Sequence, residues 1–247
     1  MKKLENLYGL PVTIATREMV ESDASKIVDP ALSANVGFLV VGDPVCATTH
    51  TDIMIRARSQ NIQIEVIHNA SVMGAVGSCG LQLYSFGATI SLPFFTEGWK
   101  PTSFYKKMKY NFEGGMHTLC LLDIKVREPD FQAMAKGKEV YLPPRYMTVN
   151  TALEQLVESE GIENPDAKEE DRLISTEKTL VVGLARLGQH DQKIACGTIS
   201  ELLEVDFGGP LHCMIVAAGD TTELELEALR PFFVEGSKLT PVERVEH

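Results

Sequence analysis

Apolar positions along the chain come mostly as short unbroken runs separated by turn-forming residues. "REMVESDASKIV" is an exception, with Met19, Ile27 and Val28 at helical spacing after a helix end at Leu4–Leu10 that Gly9 stops and a short strand at Val12 and Ile14. Gly37–Val41 carries Phe38-Leu39-Val40-Val41 without alternation, which suits a strand covered on both faces of a parallel sheet. The run breaks off at Gly42-Asp43-Pro44, and Thr48 or Thr49 is placed to cap a helix reaching about Ser59. Asp52 completes an approximate capping box, and Ile53 and Ala57 share one helical face. Ile62–Asn69 reads as the next strand, "ASVMGAVGSCGLQLY" as a glycine-rich helix and Ala88–Phe95 as a further strand. "PTSFYKKMKYNF" aligns Phe104, Met108 and Phe112 on a helix before the apolar strand His117–Val126. Strand and helix in alternation predict an open, mostly parallel α/β sheet over residues 1–126.

The pattern changes after Val126, where "REPDFQAMAKGKEVYLPPRY" brings three prolines and marks a domain junction. "MTVNTALEQLVESEG" is a helix with Leu153, Leu156 and Val157 inward, and "NPDAKEEDR" is a charged surface loop. "TLVVGLARLG" and "QKIACGTISELL" have no helix between them, which predicts an antiparallel pair. A helix, the strand "LHCMIVAAG" and a last helix "TELELEALRPFF" complete a smaller α+β domain over 127–247.

The 247 residues suffice for a sizeable core in either one or two domains. Lys+Arg 23 against Asp+Glu 34 gives a net charge of −11, which argues against direct nucleic-acid binding. No apolar run approaches the roughly 20 residues of a membrane span, and no apolar segment follows the two lysines of "MKKLENLYGL" as a secretory signal requires. Five scattered cysteines without C-x-x-C or zinc-ligand spacing predict reduced, buried thiols, no metal and a cytoplasmic location.

In open α/β sheets, ligands bind outside the carboxyl ends of the strands. Asp43, Asn69 and Asp123 all fall at such predicted ends, although each could instead cap a helix or pin a turn. Gly74, Gly77 and Gly80 strip bulk from one face, for packing or for a ligand. P-loop, dinucleotide and nucleophile-elbow signatures are missing, which leaves chemistry without a metal or a covalent intermediate. Lys100, Lys106, Lys107 and Lys109 read as a solvated helix face.

Six blocks in order, "VVGDPVCATTHTDI", "VIHNASVMGAVGSCGLQLYSFG", "GGMHTLCLLDIKV", "PPRYMTVNTA", "VGLARLG" followed by "DQKIACGT", and "GGPLHCMIV", resemble the diphthine methyl ester synthases. These belong to the tetrapyrrole-methylase class of S-adenosylmethionine-dependent methyltransferases. The resemblance implies a two-domain protein, usually a homodimer, with the cofactor in the cleft between domains. The implied substrate is elongation factor 2, at a histidine bearing a 3-amino-3-carboxypropyl group that is methylated on the way to diphthamide, with S-adenosylhomocysteine released. Cofactor contacts carry over to Asp43, Cys46, Ser71, Val72, Leu122, Leu187 and His212; no residue carries over as a catalytic base. Cys46 stands where the family usually has glycine, and Met1 aligns beyond the strand, glycine-rich turn and helix with which family members begin. The absence of that N-terminal unit makes a catalytically impaired or non-catalytic relative the alternative expectation.

Overall fold

The computed structural model describes residues 1–138, 140–168 and 171–239. The chain divides into two compact units, Met1–Gly74 and Ala75–His247. Residues 169 and 170 of the predicted charged loop lie outside the described residues.

The first unit is helical where local signals are strong. Helix α1 (Lys2–Tyr8) stops at Gly9, whose φ of 64° supplies the left-handed cap conformation that glycine adopts without a Cβ penalty. The next helical stretch is divided into α2 (Arg17–Glu21), capped by the Thr16 hydroxyl on the Met19 amide, and α3 (Ser25–Val28). Helix α4 (Thr51–Ser59) starts without a side-chain cap, so Thr48 and Thr49 do not play the expected part; an Arg56–Asp52 pair at 2.6 Å braces it instead. Residues 12–14, 37–41 and 62–69 form no strand, contrary to expectation. A strand needs a ladder partner as well as apolar residues, and none of these runs pairs with another among the described residues. Leu39 and Val41 are exposed, whereas burial on both faces was expected of residues 37–41; Ile67 is exposed as well.

The predicted glycine-rich helix at 70–84 is three short pieces: α5 (Val72–Ala75) and 3₁₀ turns at Val76–Cys79 and Leu83–Ser85. Gly80 breaks it, with φ 102°, and a Cβ there would lie 2.5 Å from the Ala228 Cβ.

The second unit is built on a mixed five-stranded sheet. Its strands are β1 (Ile90–Leu92), β2 (Thr118–Leu122), β5 (Leu180–Ala185), β6 (Lys193–Thr198) and β7 (His212–Val216), in spatial order β1-β2-β7-β5-β6. A small ribbon pairs β3 (Ile124–Lys125) with β4 (Arg145–Tyr146). The helices are α6 (Tyr105–Glu113), α7 (Phe131–Met134), α8 (Val149–Glu163), α9 (Ile199–Leu203) and α10 (Glu223–Leu229). Only β1 and β2 are parallel in this sheet; the other pairs, including the predicted β5–β6, are antiparallel. The expected mostly parallel sheet is therefore corrected to a mixed one: β7 enters between β2 and β5, so strands from before and after residue 126 share a ladder. Pro93 cannot donate to the ladder, and β1 stops at Leu92 short of the predicted Phe95.

Helix α8 follows its periodicity: Val149, Ala152, Leu153 and Leu156 are buried in one cluster with Val181, Met214 and Val216, burial of the valine and of each leucine being worth about 1.5–3 kcal/mol. Asn111 on α6 fastens the edge, receiving the Ala88 amide and donating to the Ala88 carbonyl and the Thr118 hydroxyl. On the opposite face of the sheet the Cys196 thiol donates to the Leu229 carbonyl, tying β6 to α10. No helix among the described residues is long and apolar enough to cross a membrane.

Candidate functional site

The sequence-predicted site residues fall into two groups, one in each unit. In the first, Gly42, with φ 85°, turns the chain so that Asp43 points inward and is buried. Its Oδ1 accepts from the Val45 amide at 2.9 Å; its Oδ2 accepts from the Asn69 amide at 3.1 Å and faces His68 Nδ1 at 2.9 Å. The amides of Val45 and Asn69, with His68 and the Cys46 thiol, hold the carboxyl well below the usual carboxylate range. Asp43 is thus an ionised clasp between the turn at 42–46 and the segment ending at Asn69. Ser71 follows directly, its hydroxyl accepting from the Met73 amide, and half-buried Val72 opens α5. Asp43, Cys46, Ser71 and Val72 are therefore carried by two segments that one carboxylate binds together. His50 braces the turn from behind, with Nδ1 at 3.0 Å from the Pro44 carbonyl and its ring edge-on to Phe38.

In the second unit, Leu122, Leu187 and His212 meet at one end of the sheet. β2 and β5 run the same way and end there at Leu122 and Ala185, while β7 begins there at His212, paired with Ala185. Leu187 lies two residues past the end of β5. Asp123, which follows Leu122, accepts from the Phe94 amide at 3.2 Å, and its carbonyl takes the Met147 amide at 3.0 Å, so it stitches loops at this end. A cavity of about 120 Å³ lies there, lined by Tyr146, Met147, Thr148, Gly208, Pro210 and His212. The 15-residue helix α8 starts beside it, with Thr148 capping the Thr151 amide.

The state of the His212 ring follows from its partners. The Val149 amide can only donate, so Nδ1 accepts at 3.3 Å and the proton sits on Nε2, which donates to the Gly209 carbonyl at 2.9 Å. Burial lowers its pKa further below the ordinary histidine value. Both nitrogens have backbone partners, so the ring is held in place in the wall of the cavity.

Among the described residues no group of histidine, cysteine and carboxylate side chains is arranged to hold a metal ion. Burial pushes the Cys213 thiol up to about 12 and raises Cys120 and Cys196 as well, so these thiols are not nucleophiles at neutral pH. The two groups offer backbone, small and apolar side chains, one anion and one neutral imidazole. That set suits binding and orientation rather than covalent catalysis.

Two structural residues escaped the sequence reading. Glu225, buried on α10, receives the Gln82 amide, His117 Nε2, and the amide and hydroxyl of Thr222. Its spacing from Thr222 is the signal that could have found it, since the pair forms a capping box. Arg186 looks like an ordinary surface arginine in sequence; only its backbone, at φ 51°, marks it.

Residues 10–203 match the family of Tetrapyrrole (Corrin/Porphyrin) Methylases. The "Probable diphthine methyl ester synthase" of Arabidopsis thaliana is 52% identical over 230 residues, covering 93% of this chain and 80% of that protein. The diphthine methyl ester synthase of Homo sapiens is 50% identical over 231 residues, covering 94% and 80%. A crystal structure of diphthine synthase superposes with a TM-score of 0.74 at 28% identity, over 94% of this chain and 79% of that one. With blocks from both groups of site residues inside these matches, the chain belongs to the diphthine methyl ester synthase family of tetrapyrrole methylases.

Proposed function

We propose that this chain is an S-adenosylmethionine-dependent methyltransferase that methylates the 3-amino-3-carboxypropyl-histidine of elongation factor 2 to diphthine methyl ester. Identity near 50% over more than nine-tenths of the chain is the observation that carries this reading. The proposed cofactor contacts are Asp43, Cys46, Ser71 and Val72 in the first unit and Leu122, Leu187 and His212 in the second. The same reading makes elongation factor 2 the protein substrate, the chain a homodimer in the cytoplasm, and residues 1–126 and 127–247 its two domains.

The charge and chemistry of these residues support such a cofactor. When bound, S-adenosylmethionine supplies a methyl group on a cationic sulfonium. Asp43 is an anion at every working pH, and His212 is neutral, so neither opposes a cation. Leu122 and Leu187 offer apolar surface that excludes water, and the His212 contacts with Val149 and Gly209 keep the wall of the cavity fixed. The chain's contribution to methyl transfer is then positioning, which can supply ~7–11 kcal/mol of a barrier. A substrate carboxylate is already ionised at neutral pH and needs no base from the chain.

Calorimetric titration with S-adenosylhomocysteine tests the cofactor assignment. Saturable binding that displaces S-adenosylmethionine is expected; a folded sample that binds neither compound would overturn it.

A further inference from the structure

We propose that Arg186 is the positioning residue that sets the loop of residues 207–211, and through it His212 and Leu187, for cofactor binding. This rests on the cofactor assignment above. The backbone of Arg186 is at φ 51°, a left-handed conformation that glycine tolerates and arginine does not favour. Glycine would be the economical residue if the backbone bend were all the fold required. Arginine in that position implies that its side chain compensates.

The contacts of the guanidinium show how. Nη1 donates to the Phe207 carbonyl at 2.8 Å and to the Gly209 carbonyl; Nη2 donates to the Asp191 carbonyl at 2.9 Å, and Nε to the same oxygen at 3.1 Å. The Asp191 carboxylate lies 2.7 Å from Nε and balances the charge. The Arg186 amide donates to the Leu211 carbonyl at 2.9 Å. One residue therefore ties the turn after β5 to the loop before β7 at both ends of that loop. The planar fork of arginine makes these simultaneous contacts, and a lysine ammonium cannot reproduce the set.

Two further features connect this clasp to the cavity. The Gly209 carbonyl accepts from both Arg186 and His212 Nε2, so the guanidinium fixes the acceptor that receives the His212 Nε2–H. Gly208, with φ 72°, passes directly over the guanidinium; a Cβ there would lie 3.3 Å from both Nη1 and Nη2. Gly208, Pro210 and His212 line the 120 Å³ cavity, and Leu187 is the residue next to Arg186. Arg186 is itself absent from that lining, which is why it acts through the loop.

The test compares wild type with Arg186→Gly and Arg186→Lys. Glycine relieves the backbone and removes every side-chain contact, whereas lysine keeps the charge and loses the fork. Both variants are expected to weaken S-adenosylhomocysteine binding, Arg186→Gly by about tenfold or more. In steady state the KM for S-adenosylmethionine rises by a similar factor while kcat at saturation changes little. A folded Arg186→Gly that binds within about twofold of wild type overturns the proposal. Should that variant fail to fold, unchanged affinity in folded Arg186→Lys overturns it equally. The nitrogen spectrum of the His212 imidazole gives a readout independent of the cofactor. Wild type shows an Nε2–H hydrogen-bonded to the Gly209 carbonyl; in Arg186→Gly the Nε2 nitrogen and its proton shift as that acceptor moves, and unaltered Nε2–H shifts count against the assignment. Failure of wild type to bind refutes the cofactor reading, and this spectrum then decides the role of Arg186.

Discussion

Replacing Glu225 by glutamine changes one oxygen for an amide group in a side chain that is 2% exposed, and the structure sets the expected consequence. The wild-type carboxylate accepts from the Gln82 amide and His117 Nε2 on one oxygen and from the Thr222 amide and hydroxyl on the other. His117 is anchored in turn, its Nδ1 accepting from the Ala218 amide at 3.0 Å. Glutamine can satisfy one side of this arrangement; its amide hydrogens then face donors on the other. Burial alone raises the Glu225 pKa, but the Gln82 amide, His117 and Thr222 outweigh it and bring the carboxyl down to about 2 from the ordinary 4.5. A depressed folded-state pKa means a contribution fully present above pH 4.5 and lost as pH falls toward 2. At 1.36 kcal/mol per pKa unit that contribution is about 3 kcal/mol. For a chain of this size it corresponds to a fall in Tm of roughly 6–12 °C at pH 7. Thermal unfolding of wild type and Glu225→Gln across pH 7 to 3 isolates the term, because every other carboxylate titrates in both proteins. The gap in Tm is expected to shrink by roughly half or more by pH 3, where protonated glutamate resembles glutamine. Parallel curves with a constant gap refute the reasoning, as does a variant as stable as wild type at pH 7.

Two other substitutions separate binding from stability. Asp43→Ala frees the segment at Asn69 from the turn at 42–46 and is expected to abolish tight S-adenosylhomocysteine binding while circular dichroism remains native; wild-type affinity in that variant excludes Asp43 from the site. Gly183→Ala places a Cβ 2.3 Å from the buried Phe207 ring and 3.1 Å from Val149. It is expected to cost about 1–3 kcal/mol, and the thermal transition should fall accordingly.

Elements whose stabilisation is local or strongly periodic were legible in the sequence. Helix α8 buries the face its apolar spacing marks, Gly9 ends α1 where a left-handed cap is required, and β5 and β6 pair antiparallel as their short connection demands. What was not legible depends on partners distant in sequence. Phe38 to Val41 is apolar enough for a strand, yet a ladder is a property of two segments, and this one has no partner among the described residues. Likewise β7 reads as a strand in sequence, but nothing local says that it enters between β2 and β5 and makes the sheet mixed. At the site, Asp43 stood out because a carboxylate followed an apolar run, although its carboxylate proves to be a clasp for backbone amides. The block from Gly208 to His212 stood out in the sequence, but the bonds that tie it to Arg186 did not, because no spacing rule connects the two.

The most direct test of the account is methyl transfer itself. Purified chain, S-adenosylmethionine and elongation factor 2 carrying the 3-amino-3-carboxypropyl-histidine are incubated together, and the modified peptide is read by mass spectrometry. Methylation of that residue, including an ester removed by mild base, is the predicted result. A folded chain that binds S-adenosylhomocysteine yet leaves the residue unmethylated at every enzyme concentration would contradict it.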